Sequence, residues 1–148
     1  MNPRVTTIVV GTIILILGLA GLFYPDRVMG LLGFLPANAS HAAAVFGEVR
    51  ATYGGIFVVM GVFTLLAARD PAAQRGRLLF IGLMWLGACS GRLLSVSIDG
   101  NPGVPGWVTA VFELFMGGAL LSAALMSSAE PSAASAPSFT APPPPATT

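Results

Sequence analysis

The chain has no lysine, one cysteine and one histidine, and only 9% of its 148 residues are charged. Each shortage excludes something. The lone Cys89 cannot build a disulfide framework, and it reads as a small buried hydrophobe. With His41 as the single histidine, no set of ligands has the spacing a metal needs, and His41 reads as a solvated or capping side chain. A net charge of +1 gives no footing for nucleic acid. No cofactor fingerprint and no paired nucleophile and base are present, so the chain leans away from enzymes and from cofactors. Soluble domains carry about 25% charged residues; here hydrophobic residues reach 55% and the mean hydropathy is +0.83.

What is present is a set of long apolar runs. Residues 5–23 carry no charge, 51–68 carry none, 78–98 are interrupted only by Arg92, and 104–126 only by Glu113. About 18 apolar residues suffice to cross a bilayer as a helix. The second run extends back to about residue 45 and so takes in Glu48 and Arg50. The expected fold is therefore an all-α polytopic membrane protein with four transmembrane helices in a compact bundle, spanning about 5–23, 45–68, 78–98 and 104–126. The first run is longer than a signal-peptide core of about 7–15 residues and is read as a retained helix. Residues 1–126 form this domain. Residues 127–148, rich in Ala, Ser, Pro and Thr with Glu130 as their single charge, read as a disordered cytoplasmic tail.

Loop charge sets the orientation. The 69–77 loop holds Arg69, Arg75 and Arg77 against Asp70, and Arg4 lies at the same end, whereas Arg27 is the loop arginine of the other side. Positive loops stay cytoplasmic, which places both termini inside. Glu48, Arg50, Arg92 and Glu113 then all fall in the outer half of the bundle, with Glu113 about 13 Å along its helix. A charge inside a spanning helix costs roughly 2.5–3.5 kcal/mol on insertion scales, so such residues face partners and mark a site. With two of each sign, the set can neutralise itself.

Helical spacing sorts the faces. Arg92, Ser95 and Asp99 form one polar stripe; Gly106, Thr109, Glu113 and Gly117 form another. Gly47, Arg50, Gly54 and Gly61 share a face, and Glu48 points well away from Arg50. Gly11, Gly18 and Gly21 share a third face, and Gly87 to Gly91 gives a small-residue pattern just before Arg92, both suited to close helix packing. Either Arg50 or Arg92 is placed to pair with Glu113. Asp99 to Gly103 is a strong turn signal, and Asp99 is a further candidate partner for Arg92. Tyr24 and Trp107 flank the outer helix ends as interface aromatics. The apolar 29–35 stretch is expected to cap the bundle or lie on the bilayer.

The stretch Glu48-Val49-Arg50-Ala51-Thr52-Tyr53-Gly54-Gly55, with Gly61-Val62-Phe63, Gly91-Arg92, Asp99-Gly100-Asn101-Pro102 and a final helix bearing Glu113, resembles the bacterial domain-of-unknown-function family 4345. The resemblance covers roughly residues 5–126 and implies a four-helix protein of the bacterial cytoplasmic membrane, without an assigned activity. A more distant similarity to DoxX-type proteins is architectural only. The candidate polar cluster is Glu48, Arg50, Tyr53, Arg92, Ser95, Asp99 and Glu113. Three readings of it stay open. One is an ion-pair network that fixes helix register. The second is a binding module for a lipid headgroup, an anionic small ligand or another membrane protein. The third is an oligomeric small-solute or proton-coupled transporter. The lipid bilayer is a partner on every reading.

Overall fold

A computed structural model describes residues 2–33 and 42–127. His41, residues 34–36 of the first loop and the tail from 128 onward lie outside the described residues. Helix α1 (Pro3–Phe23) starts where the Asn2 side chain accepts from the Arg4 and Val5 amides and Pro3 presets the first turn. Pro25 opens the short helix α2 (Pro25–Leu32), which ends on Gly33 in the left-handed conformation, at φ 75°. Within α2, Met29 is buried against the bundle while Leu31 faces out, so this part of the apolar 29–35 stretch caps the bundle with one side only.

The second span is one rod made of three pieces. Helix α3 (Ala42–Val49) passes without a break through a π-helical stretch (Arg50–Ile56) into α4 (Phe57–Ala67), and the residues at both joints keep right-handed helical dihedrals. After the 68–74 turn, α5 (Arg75–Asp99) and α6 (Gly103–Ser127) form an antiparallel hairpin about Gly100 and Gly103, both at positive φ. Arg75 and Arg77 sit on the first turn of α5, although the hydropathy pattern assigns them to a loop. Backbone hydrogen bonding continues past the point where the apolar run stops.

Among the described residues, four helical segments are long and apolar enough to cross a membrane: Pro3–Phe23, Ala44–Ala67, Arg75–Asp99 and Gly103–Ser127. The chain is a membrane protein built as two hairpins side by side, α1 with the α3–α4 rod and α5 with α6; α1 also touches α6, and α4 touches α5. The core runs through Val10, Ile14, Met60, Leu78, Ile81, Trp85, Met116 and Leu120. Phe80, Leu94, Val111 and Phe115 point outward, the arrangement expected where acyl chains replace water.

Lipid offers helices little hydrophobic reason to associate, so close backbone fit must hold the pairs together. A Cβ added at Gly18 would lie 2.5 Å from the Val58 amide nitrogen, and one at Gly61 would lie 2.6 Å from that of Leu15. Gly82 and Gly117 face each other across the α5–α6 seam, each abutting the other's carbonyl. The expected shared face of Gly11, Gly18 and Gly21 packs in this way against the second span. The Gly87 to Gly91 pattern does not: a Cβ added at either glycine would meet no neighbouring helix within 4 Å. The buried face of α5 is set by Leu78, Ile81, Gly82, Trp85 and Cys89, and positions 87 and 91 fall on its far side. Gly61→Ala should therefore lower stability by about 1–3 kcal/mol through overpacking, whereas Gly87→Ala should leave it unchanged or slightly raised. Thermal unfolding of the two variants in mild detergent checks both.

Candidate functional site

The seam sets the register. Gly82 lies against Gly117, and the Cys89 thiol donates to the Ala110 carbonyl at 3.4 Å. In this register Glu113 lies roughly level with Leu86, well below Arg92. Helical side chains lean towards the N-terminus of their own helix. The two helices run in opposite directions, so Arg92 leans down towards the middle of the bundle and Glu113 leans up to meet it. The Arg92 Nε–H is shared between the two carboxylate oxygens, at 2.8 Å to Oε1 and 2.9 Å to Oε2. This is the ion pair found among the described residues. Glu113 is buried, with 7% of its side chain exposed, whereas Arg92 keeps 30%.

Nε is the guanidinium nitrogen that bonds Glu113, and this contact does not use the two terminal amino groups. The Tyr53 side chain lies close enough to Arg92 to interact with its charge. Tyr53 is carried by the π-helical stretch, a widened turn of the kind that often marks functional sites. Below the pair, Tyr53, Phe57, Trp85 and Phe112 stack edge to face, with centroids 5.7, 5.0 and 5.5 Å apart. The Trp85 Nε1–H within this stack is buried without a hydrogen-bond partner.

Beside the pair, Arg92, Ser95, Val96, Pro102, Gly106, Trp107 and Ala110 are among the residues lining a cleft of about 70 Å³. That is room for about two water molecules at about 30 Å³ each. Its far wall is organised by Asn101, whose Oδ1 accepts from the Gly103 amide at 3.1 Å and from the Trp107 indole at 3.2 Å. A larger hollow of about 470 Å³ lies at the opposite end, between Asn2, Arg4, Asp70, Met126 and Ser127. It is a wide gap between helix ends and is remote from the intramembrane charges.

The seven sequence candidates do not all converge. Arg92, Glu113 and Tyr53 come together, and Ser95 lines the adjoining cleft. Asp99 does not pair with Arg92; it accepts the Ser95 hydroxyl at 2.7 Å and is exposed. Glu48 is exposed and accepts from Thr52 at 3.0 Å. Arg50 donates through Nε to the Leu22 carbonyl at 3.3 Å and so caps the end of α1. The reason lies on its own helix face. Arg50 shares that face with Gly54 and Gly61, and both glycines pack on α1. Asn101, Trp85 and the Cys89 thiol are contributions that sequence reasoning missed. An Asx residue two positions before a helix and six before a tryptophan was the available signal for the first. Among the described residues, no three His, Cys, Asp or Glu side chains gather as metal ligands.

Residues 3–124 match the family described as Domain of unknown function (DUF4345), and the chain belongs to it. No match is found among curated proteins or among solved structures. Losing either charge should strand the other. Arg92→Gln and Glu113→Gln are each expected to cost about 3 kcal/mol, the low end for a broken buried pair because Arg92 keeps access to the surface. The double variant should recover most of that loss. Unfolding free energies of all four proteins close the cycle, and simple additivity would show that the pair is not coupled.

Proposed function

Starting from membership in a family without an assigned activity, we propose that the chain is a membrane binding module in which Arg92 receives the anionic group of a lipid headgroup. The observation that carries this reading is the asymmetry of the ion pair. Glu113 is enclosed and engaged by Nε alone, while Arg92 is partly exposed and lines a cleft. A pair serving only to fix register gains most from a two-pronged fork of parallel N–H···O bonds. Here Glu113 takes only the Nε–H, and Arg92 also lines the cleft. Arginine is the side chain suited to phosphate and carboxylate recognition, and Glu113 with Tyr53 fixes its guanidinium in advance, which lowers the ordering cost of binding.

The proposal includes the setting. The chain lies in the cytoplasmic membrane of a bacterium with both termini inside, so the cleft opens to the outer leaflet; the excess of Arg near the 68–74 turn and at Arg4 supports this. A protease-cleavable C-terminal tag should then resist digestion in intact spheroplasts and be lost once they are lysed. Digestion in intact spheroplasts would invert the topology.

The binding itself is tested by titrating the full chain in detergent with a short-chain phospholipid, followed by calorimetry. Arg92→Gln combined with Glu113→Gln removes both charges at nearly constant shape and should weaken binding about tenfold or more, equivalent to about 1.4 kcal/mol. An unchanged Kd would leave the pair a register device only.

A further inference from the structure

The two ends of the bundle differ in charge. At one end Arg4, Arg69, Arg75 and Arg77 stand against Asp70 alone; at the other, Asp26, Glu48 and Asp99 outnumber Arg27 and Arg50. None of the four arginines at the first end makes an ion pair among the described residues. Asp70 is committed to its own turn, where Oδ1 accepts from the Ala73 amide at 3.0 Å. Arg4, Arg75 and Arg77 lie in the first turns of α1 and α5, which carry no acidic residue. A helix N-terminus favours negative charge, so side chains and backbone here attract the same kind of ligand.

One of these arginines is held in place. The Arg77 guanidinium lies 5.0 Å over the Phe63 ring, which pins a side chain from the start of α5 onto α4. Stacking uses the face of the guanidinium, whereas its N–H donors lie in the plane and point out from the edge. The contact orders the arginine and leaves that edge for an oxyanion. Phe63 itself is exposed, and one helical turn away on each helix so are Leu66 of α4 and Phe80 of α5. These helices belong to different hairpins and meet more sparsely than the helices within either one. Charge at the helix ends with exposed apolar side chains below it matches a phosphate and an acyl chain. Basic sites between spanning helices are known receivers of anionic headgroups. A choline or ethanolamine ammonium would find four arginines to repel it and only Asp70 as a counter-charge.

We infer that the outer face of the α4–α5 seam takes an anionic phospholipid. Its phosphate sits on the in-plane N–H edge of Arg77, and its acyl chain runs past Phe63 and Phe80. Arg4, Arg69 and Arg75 add attraction at longer range. The site lies at the opposite end from Arg92 and does not rest on the reading of that residue. In the orientation proposed above it faces the cytoplasmic leaflet.

The test titrates the full chain in a non-ionic detergent with short-chain phosphatidylglycerol and with phosphatidylcholine of the same acyl length, by calorimetry. Phosphatidylglycerol should bind about tenfold tighter, or about 1.4 kcal/mol. Arg77→Gln should shrink that preference to within about twofold. Phe63→Leu keeps the charge and the apolar bulk but removes the ring, and should reduce the preference about threefold. Equal binding of the two lipids overturns the inference, as does a preference untouched by either variant. The double variant Arg92→Gln, Glu113→Gln separates the two sites. If the preference survives Arg77→Gln but disappears in the double variant, the anionic lipid sits at Arg92 and this inference fails while the Arg92 reading stands. If Arg77→Gln removes the preference and the double variant keeps it, the seam site stands on its own.

Discussion

An ionised side chain in the apolar part of a membrane protein has to find a partner within the protein, because lipid cannot solvate it. Arg92 and Glu113 meet this condition in a specific way. They belong to neighbouring antiparallel helices and start several residues apart in register, and each leans towards the other because side chains follow the direction of their own helix. The contact therefore depends on α5 and α6 being held at a fixed separation and offset. Gly82 against Gly117 supplies the separation, and the Cys89 thiol on the Ala110 carbonyl helps to fix the offset. The ion pair and the glycine seam act together: the seam makes the pair reachable, and the pair penalises any slip of the seam.

The second hairpin is built by the same means but carries its polar groups differently. Gly18 and Gly61 let α1 and the second span approach to backbone contact. The π-helical stretch then widens one turn of that span and delivers Tyr53 to Arg92 from the other hairpin. Tyr53 thus brings the second span up to Arg92 at the level of the buried charge. The aromatic stack beneath it fills the centre with large rings, so the polar contact sits on a rigid floor.

Arg92 is bonded to Glu113 through Nε and also lines the cleft beside Trp107, and the proposed binding role rests on this arrangement. Pre-organisation is the useful consequence. A guanidinium already held by Glu113 and Tyr53 loses little freedom when a ligand arrives, and its charge, partly exposed, stays accessible from the cleft.

The sequence by itself determined the membrane class, the four apolar segments, and Arg92 and Glu113 as residues that insertion energetics could not leave unpartnered. Helical spacing also foretold the shared glycine face of α1 and the divergence of Glu48 from Arg50. Spacing along one helix says nothing about which neighbour a face meets, and this is where expectation and structure part. Arg50 was as good a partner for Glu113 as Arg92 until its face proved to be the one packed on α1. Gly87 to Gly91 read as a packing motif until α5 proved to bury the opposite side. Asn101 reads as one more turn residue until the hairpin places Trp107 within reach of its oxygen. The π-helical turn that brings Tyr53 to Arg92 has no hydropathy signature, because it changes hydrogen-bond geometry and leaves composition untouched. Apolar length and the cost of burying charge are properties of single segments and can be read from the chain. Pairing is a property of two segments in contact, and it was decided by where backbones could approach closely enough to touch.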